Sequence, residues 1–176
     1  MSEDEFWKIV ESSGSPDDCS PDEQCENIIE SLKGEPKETL VAFSNIHREL
    51  LCKGYTWPML KACFVLISFI SDDAFEDFRN WIILQGKKRF YETLSDPDTM
   101  ADYIKVEDPV EEVTGECLLF VCEEAWDGDI EDLEQNYVYP NDPNLDDDWP
   151  SETELQQEFP KLFNKYWDEQ NIRTLN

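Results

Sequence analysis

The chain has 176 residues, with 42 Asp and Glu against 14 Lys and Arg, a formal net charge of −28. Phosphate binding needs clustered cations that displace counterions, so direct nucleic-acid binding is excluded as the first reading. Apolar residues make up 40% of the chain, including 6 Trp, 6 Tyr and 10 Phe, which is enough for a packed core over one domain spanning 1–176.

Helix signals recur from the start. Ser2 followed by Glu5 is a capping-box pattern, and Phe6, Ile9 and Val10 share a face, predicting a first helix that ends at Gly14-Ser15-Pro16. Ser20-Pro21-Asp22-Glu23 supplies a cap, a first-turn proline and a Glu for a second helix burying Cys25, Ile28, Ile29 and Leu32. Gly34 and Pro36 close it. Leu40, Phe43, His47, Leu50 and Leu51 form the stripe of a third helix that stops near Gly54. Pro58 opens a fourth, apolar on all sides and therefore central.

A fifth helix starts at Ser71 or Asp72, carries Phe75, Phe78 and Ile82 inward, and reaches Lys87-Lys88-Arg89 near its end, with Gly86 as its weak point. Ser95-Asp96-Pro97-Asp98 turns into a short sixth helix with Met100, Tyr103 and Ile104. Glu116 to Trp126 reads as a helix or a buried strand, and helix is favoured because no second strand is present to pair with it. Residues 127–150 are polar, with Pro140 and Pro143, and predict a long loop whose acidic, exposed part is 138–150. Ser151 and Glu154 cap a final helix interrupted at Pro160. The expected fold is all-α, about seven to eight helices with a long acidic loop before the last.

The first residues lack a secretory leader, and the run Ala62 to Ile70 is far short of the roughly 20 residues that span a bilayer, so a cytoplasmic protein without membrane contact is expected. Cys19, Cys25, Cys52, Cys63, Cys117 and Cys122 include no C-x-x-C pair and read as reduced thiols. A zinc site lacks support, since His47 is not flanked by cysteines at finger spacing. As a catalytic base, His47 would need a nucleophile such as Cys52 or Cys63 beside it, which no spacing asserts; a packed boundary residue is the simpler reading. No phosphate-binding Gly-rich loop, nucleophile elbow or HExxH occurs, so no residue is assigned a catalytic role and no cofactor is implied.

Charge is uneven along the chain. Residues 1–39 carry 12 acids and 3 bases, 40–106 carry 9 and 8, and 107–176 carry 21 and 3. A calcium loop beginning at Asp142 fails, because Asp147 and Thr153 occupy the required Gly and Glu positions; one beginning at Asp127 fails at Val138. Trp126, Tyr137, Tyr139 and Trp149 bracket this stretch, either as anchors for a long connection or as a surface for a basic partner.

Asp72, Asp73, Glu76, Asp77 and Arg79, with Trp81 nearby, form a second candidate cluster. Hard divalent cations prefer such carboxylates, and Arg79 could clamp an anion. The structural alternatives are helix capping by Asp72 and Asp73, a Glu76–Arg79 surface pair, or a partly buried Arg79 that holds an Asp and fixes helix packing.

Glu5 to Glu11, Ser71 to Ile82 with Gln85-Gly86, and Phe159 to Leu162 resemble a bacterial family filed as domain of unknown function 4240, over most of the chain. The resemblance implies a small, mostly helical cytoplasmic domain without an established activity. The functional expectation is a non-catalytic protein that binds a basic protein through Asp127, Asp129, Asp146, Asp147, Asp148 and Trp149. The alternatives are a metal-dependent enzyme or ligand-binding domain built on Asp72, Asp73, Asp77 and Arg79, and a phosphate-mimicking inhibitor or immunity-type protein.

Overall fold

The computed structural model describes residues 1–68, 70–105, 109, 113–141, 145 and 148–167. Among these residues ten α-helices run in chain order: α1 (Glu3–Ser12), α2 (Pro21–Leu32), α3 (Lys37–Gly54), α4 (Trp57–Ile67), α5 (Asp72–Leu84), α6 (Gly86–Ser95), α7 (Val121–Ala125), α8 (Ile130–Glu134), α9 (Glu152–Glu158) and α10 (Pro160–Tyr166). Single 3-10 turns, Pro97–Asp102 and Glu116–Leu119, lie between α6 and α7. No strand occurs among the described residues, so the fold is all-α as the sequence predicts.

Local chemistry sets the helix starts. Ser2 with Glu5, Ser20 with Glu23 and Ser151 with Glu154 each form a complete capping box, in which hydroxyl and carboxylate satisfy reciprocal backbone N–H groups. Thr56 and Ser71 cap α4 and α5 through their hydroxyls. Gly86 takes φ +86°, a left-handed conformation that glycine adopts without strain, and divides the predicted fifth helix into α5 and α6. Two further expectations are revised in detail. The predicted sixth helix is the 3-10 turn Pro97–Asp102, and Glu116 to Trp126 divides into a 3-10 turn and α7. The region expected as loop over 127–150 contains α8, whose N-cap Asp129 accepts the Glu131 N–H at 3.1 Å.

Burial organises these pieces around α4 and α5. α4 buries Met59 and every residue from Lys61 to Leu66, matching its all-round apolar character. α5 buries Phe75 and the whole run from Phe78 to Leu84, and packs on α2, α3, α4, α6 and the Glu116–Leu119 turn. Phe6, Trp7, Phe43, Phe90 and Phe159 fill the space between the surrounding helices. No single described helix is long and apolar enough to cross a membrane; α3 and α4 pass that test only together, and they meet at 83°.

The reduced-thiol expectation is overturned at one pair. Cys25 on α2 and Cys117 in the Glu116–Leu119 turn form a disulfide with a Cα–Cα distance of 6.1 Å across 92 residues of sequence. Packing of α2 against that turn makes the pairing, which no short spacing forecasts. Cys19, Cys52, Cys63 and Cys122 are free thiols.

The C-terminal helices are docked by a buried carboxylate. Asp98, in the turn after α6, accepts the backbone N–H of Lys161 at 3.0 Å and that of Leu162 at 2.9 Å, so it caps α10 from a distant part of the chain. Phe159, at the junction of α9 and α10, has no side chain able to do this. Asp98→Ala strands two donors and should lower unfolding stability by about 2–3 kcal/mol. Urea denaturation checks this, and an unchanged midpoint would contradict the tertiary cap.

Candidate functional site

The Asp72–Arg79 cluster does not converge on a common point. Asp72 and Asp73 are exposed in the first turn of α5, where Ser71, not either aspartate, supplies the capping oxygen. Asp77 is half-buried, and desolvation raises its pKa above the ordinary range, with Glu116, Glu76 and Asp73 adding repulsion. Arg79 turns inward, away from a surface pairing with Glu76, and is only 6% exposed. Its Nε–H donates to the Phe75 carbonyl at 3.2 Å and an Nη–H to the Leu51 carbonyl at 3.0 Å, while the guanidinium lies over the rings of Tyr55 and Phe75 at 4.6 and 4.9 Å. These contacts tie α5 to the last turn of α3. Trp81 is also buried, stacked between Phe78 and Tyr103 at 6.4 and 6.1 Å. Among the described residues, no three His, Cys, Asp or Glu side chains are arranged to hold a metal ion.

His47 belongs to the same interface. It is buried, and its Nε2 lies 2.7 Å from Asn80 Oδ1, so the neutral ring donates to that amide oxygen. Asn80 in turn donates to the Glu76 carbonyl at 3.1 Å. Desolvation first, with weaker repulsion from Arg48 and Arg79, depresses the imidazole pKa to about 4. Burial also pushes the Cys63 thiol up, and that of Cys122 to about 12, so neither is a ready nucleophile.

The acidic C-terminal stretch is held against α3 and α4. Asn45 Oδ1 accepts the Val138 N–H at 2.7 Å, its amide donates to the Asn136 carbonyl at 3.5 Å, and the Arg48 guanidinium lies between Tyr137 and Tyr139, 4.7 and 4.4 Å from their centroids. Tyr137 is buried and donates to Glu123 at 2.9 Å. Farther along, Trp149 meets Trp57 and Phe64 edge-on at 5.5 and 4.9 Å. The aromatics therefore anchor the segment, yet part of their surface remains open. Ile130, Val138, Tyr139 and Trp149 are 48%, 60%, 65% and 46% exposed.

Asp127, Asp129 and Asp148 are exposed; Asp146 and Asp147 lie outside the described residues. The indole N–H of Trp126 donates to the Asp129 carbonyl at 3.1 Å, which folds the Asp127-Gly128 corner back on itself. Among the described residues, no acid from Glu116 to Glu154 takes part in an ion pair. The cations that form pairs meet acids elsewhere, as in Lys53–Glu3, Lys87–Asp4, Lys161–Asp102 and Lys61–Glu158.

A cleft of about 850 Å³ lies on another part of the surface, between the Pro16–Pro21 loop, the end of α5 and residues 113–120. Trp81, Tyr103 and Phe120 contribute apolar surface, and Asp18, Asp22 and Glu116 contribute charge. Asp17 is paired with Arg89 and Lys105, each at 3.0 Å, and these partners hold its carboxyl below the usual range. Gln24 secures one wall by donating to the carbonyls of Gly14 and Leu84 at 3.1 and 3.2 Å. The sequence reading missed this cleft because its parts come from four separate stretches; Gly115 and the two distant cysteines were its only outward signals.

Gly115 sets the approach of one cleft wall to α5. A Cβ there would overlap the Trp81 backbone nitrogen and fall within 2.7 Å of the Asn80 carbonyl carbon. Gly115→Ala should therefore cost about 1–3 kcal/mol in urea denaturation and shift the Trp81 emission, because backbone rather than a flexible side chain must move. An unperturbed variant would contradict the close approach.

For His47 the sign follows from its depressed pKa. Its stabilising contribution is complete above pH 6.5, and between pH 6.5 and 4 the unfolded chain binds a proton that the native state refuses. The loss amounts to about 3 kcal/mol on reaching pH 4. His47→Gln keeps an N–H donor toward Asn80 without the titration, so denaturation at stepped pH should show wild type losing stability relative to the variant in that window. A pH-independent difference would contradict a neutral, desolvated ring.

No curated protein and no solved structure matches the chain. A family model does, over residues 1–128, and that range holds α1 through α7, the His47–Asn80 and Arg79 contacts and the cysteine bridge. The Phe159–Leu162 piece of the resemblance lies beyond the match, as do α8 and the stretch leading to α9. With most of its length covered, the chain belongs to the family described as protein of unknown function (DUF4240).

Proposed function

We propose that the chain is a non-catalytic binding protein whose acidic C-terminal face, from Asp127 to Glu158, docks a basic protein. One observation carries this reading: four of the seven exposed large apolar side chains among the described residues, Ile130, Val138, Tyr139 and Trp149, lie in this one stretch, where of the described acids only Glu158 takes part in an ion pair. Charges kept only for solubility would not require large apolar groups to stand among them. The combination suits an interface in which the field accelerates encounter and the apolar side chains hold the complex.

The two components separate kinetically. A partner recovered on the immobilised chain at low ionic strength and identified by mass spectrometry can be returned in purified form to surface plasmon resonance. Replacing Asp127, Glu131, Asp132 and Glu134 by their amides should lower kon about tenfold at low salt and remove most of its salt dependence. Ile130→Ser with Val138→Ser should leave kon near wild type and raise koff about tenfold. Melting curves establish that both variants remain folded. Binding unaffected by either set would remove this face from the function.

A further inference from the structure

Three of the six cysteines gather around the cleft. Cys117 and Cys19 both line it, and Cys117 is joined to Cys25, which lies behind it in the core. Cys117 is half-buried and reaches the cleft, whereas Cys25 is almost wholly enclosed. The bond therefore joins a residue that lines the cleft to one enclosed in the core. Cys63 and Cys122 are buried away from this cleft, and Cys52, on α3, donates to the Asn141 carbonyl at 3.6 Å.

The charged side chains that line the cleft are mainly acids, beside Lys105. Asp17 is offset by Arg89 and Lys105, but Asp18, Asp22 and Glu116 have no ion-pair partner among the described residues. An approaching thiol meets a negative field before it reaches Cys117, which repels anionic thiols and favours neutral or cationic ones. Exchange requires attack by a thiolate, so this field and access along the cleft both act on the rate.

We propose that the cleft is a thiol–disulfide exchange site that admits small neutral or cationic thiols to the Cys117 sulfur and leaves Cys25 as the departing group. The incoming thiolate forms a new S–S bond to Cys117 Sγ. The Cys25–Cys117 bond breaks, its electron pair stays on Cys25, and Cys25 takes a proton from solvent. A second molecule of the same thiol then attacks the bound one, releasing the free small-molecule disulfide and the Cys117 thiol. Two thiols are thereby oxidised and the protein disulfide is reduced. The exchange removes the covalent link between α2 and the Glu116–Leu119 turn, so that cleft wall is then held by the seat of Leu118 in the core and the contact of Gly115 with α5.

The test uses the intact oxidised chain and three small monothiols of similar size: cysteamine (cationic), 2-mercaptoethanol (neutral) and 2-mercaptoethanesulfonate (anionic). Samples are quenched by alkylation and mapped by peptide mass spectrometry, with Cys19 as the accessible internal control. Each rate is divided by the same thiol's rate with a small neutral disulfide, which removes differences in intrinsic reactivity. The normalised order expected at low ionic strength is cationic, neutral, anionic, with about fivefold or more between the extremes, converging at high salt. The trapped adduct is expected on Cys117, and Asp18→Asn with Asp22→Asn should flatten the order. Equal normalised rates at low salt, an adduct on Cys25, or alkylation of Cys25 and Cys117 before any thiol is added would each overturn the proposal.

Discussion

At the crossing of α3 and α5 two polar side chains are taken out of water, and each is satisfied by a group on the opposite helix. The His47 ring donates to Asn80, and the Arg79 guanidinium donates to the Leu51 carbonyl while resting between aromatic faces. A buried cation without such partners would cost several kcal/mol, so sliding one helix by a turn would strand both groups at once. The register of α3 on α5 is fixed accordingly. Everything on the two outer sides inherits it: α3 offers Asn45 and Arg48 to the acidic segment, and the far side of α5 presents Trp81 and the backbone that receives Gly115.

Much of this scaffold was legible in the residues. Capping boxes at Ser2, Ser20 and Ser151 stood where the helices begin, and the all-round apolar fourth helix proved to be buried. Those signals are local, resting on neighbours three or four positions apart. Gly86 was recognised as weak, but the break follows from its positive φ, which depends on where α6 must pack. A partly buried Arg79 fixing helix packing suited the residue types best, but the Leu51 carbonyl it meets, 28 residues away, is not visible in the charge pattern. Asp98 capping α10 and Cys25 joining Cys117 are likewise contacts between remote stretches. The acidic face was read from composition, whereas the cleft needed the tertiary structure.

Charge in this molecule is segregated, and the ion pairs show how. Lysines and arginines that find carboxylates do so mostly along α1, α6 and the Pro97–Asp102 turn, where they join one element to another, as Lys53 joins α3 to Glu3 and Lys87 joins α6 to Asp4. Exposed pairs of this kind contribute little each to stability. Their larger effect is on the potential: cations are consumed on one part of the surface, and among the described residues no acid from Glu116 to Glu154 takes part in an ion pair. The family match ends at residue 128, so much of this stretch lies beyond the matched residues.

Arg48 has a place of its own in this arrangement. Its guanidinium is clasped by Tyr137 and Tyr139, yet among the described residues its buried Nε meets no hydrogen-bond acceptor and the buried Glu123 Oε2 no donor. The clasp thus trades a satisfied polar contact for two aromatic faces, a weaker hold than the carbonyl-bound Arg79 enjoys. The clasp is one of several holds on the segment, beside the Asn45 amide, the Tyr137–Glu123 hydrogen bond, the fully buried Leu133 and the edge-on contacts of Trp149 with Trp57 and Phe64. The anionic stretch therefore presents its charge from a base seated on α3 and α4 through Asn45, Tyr137 and Trp149.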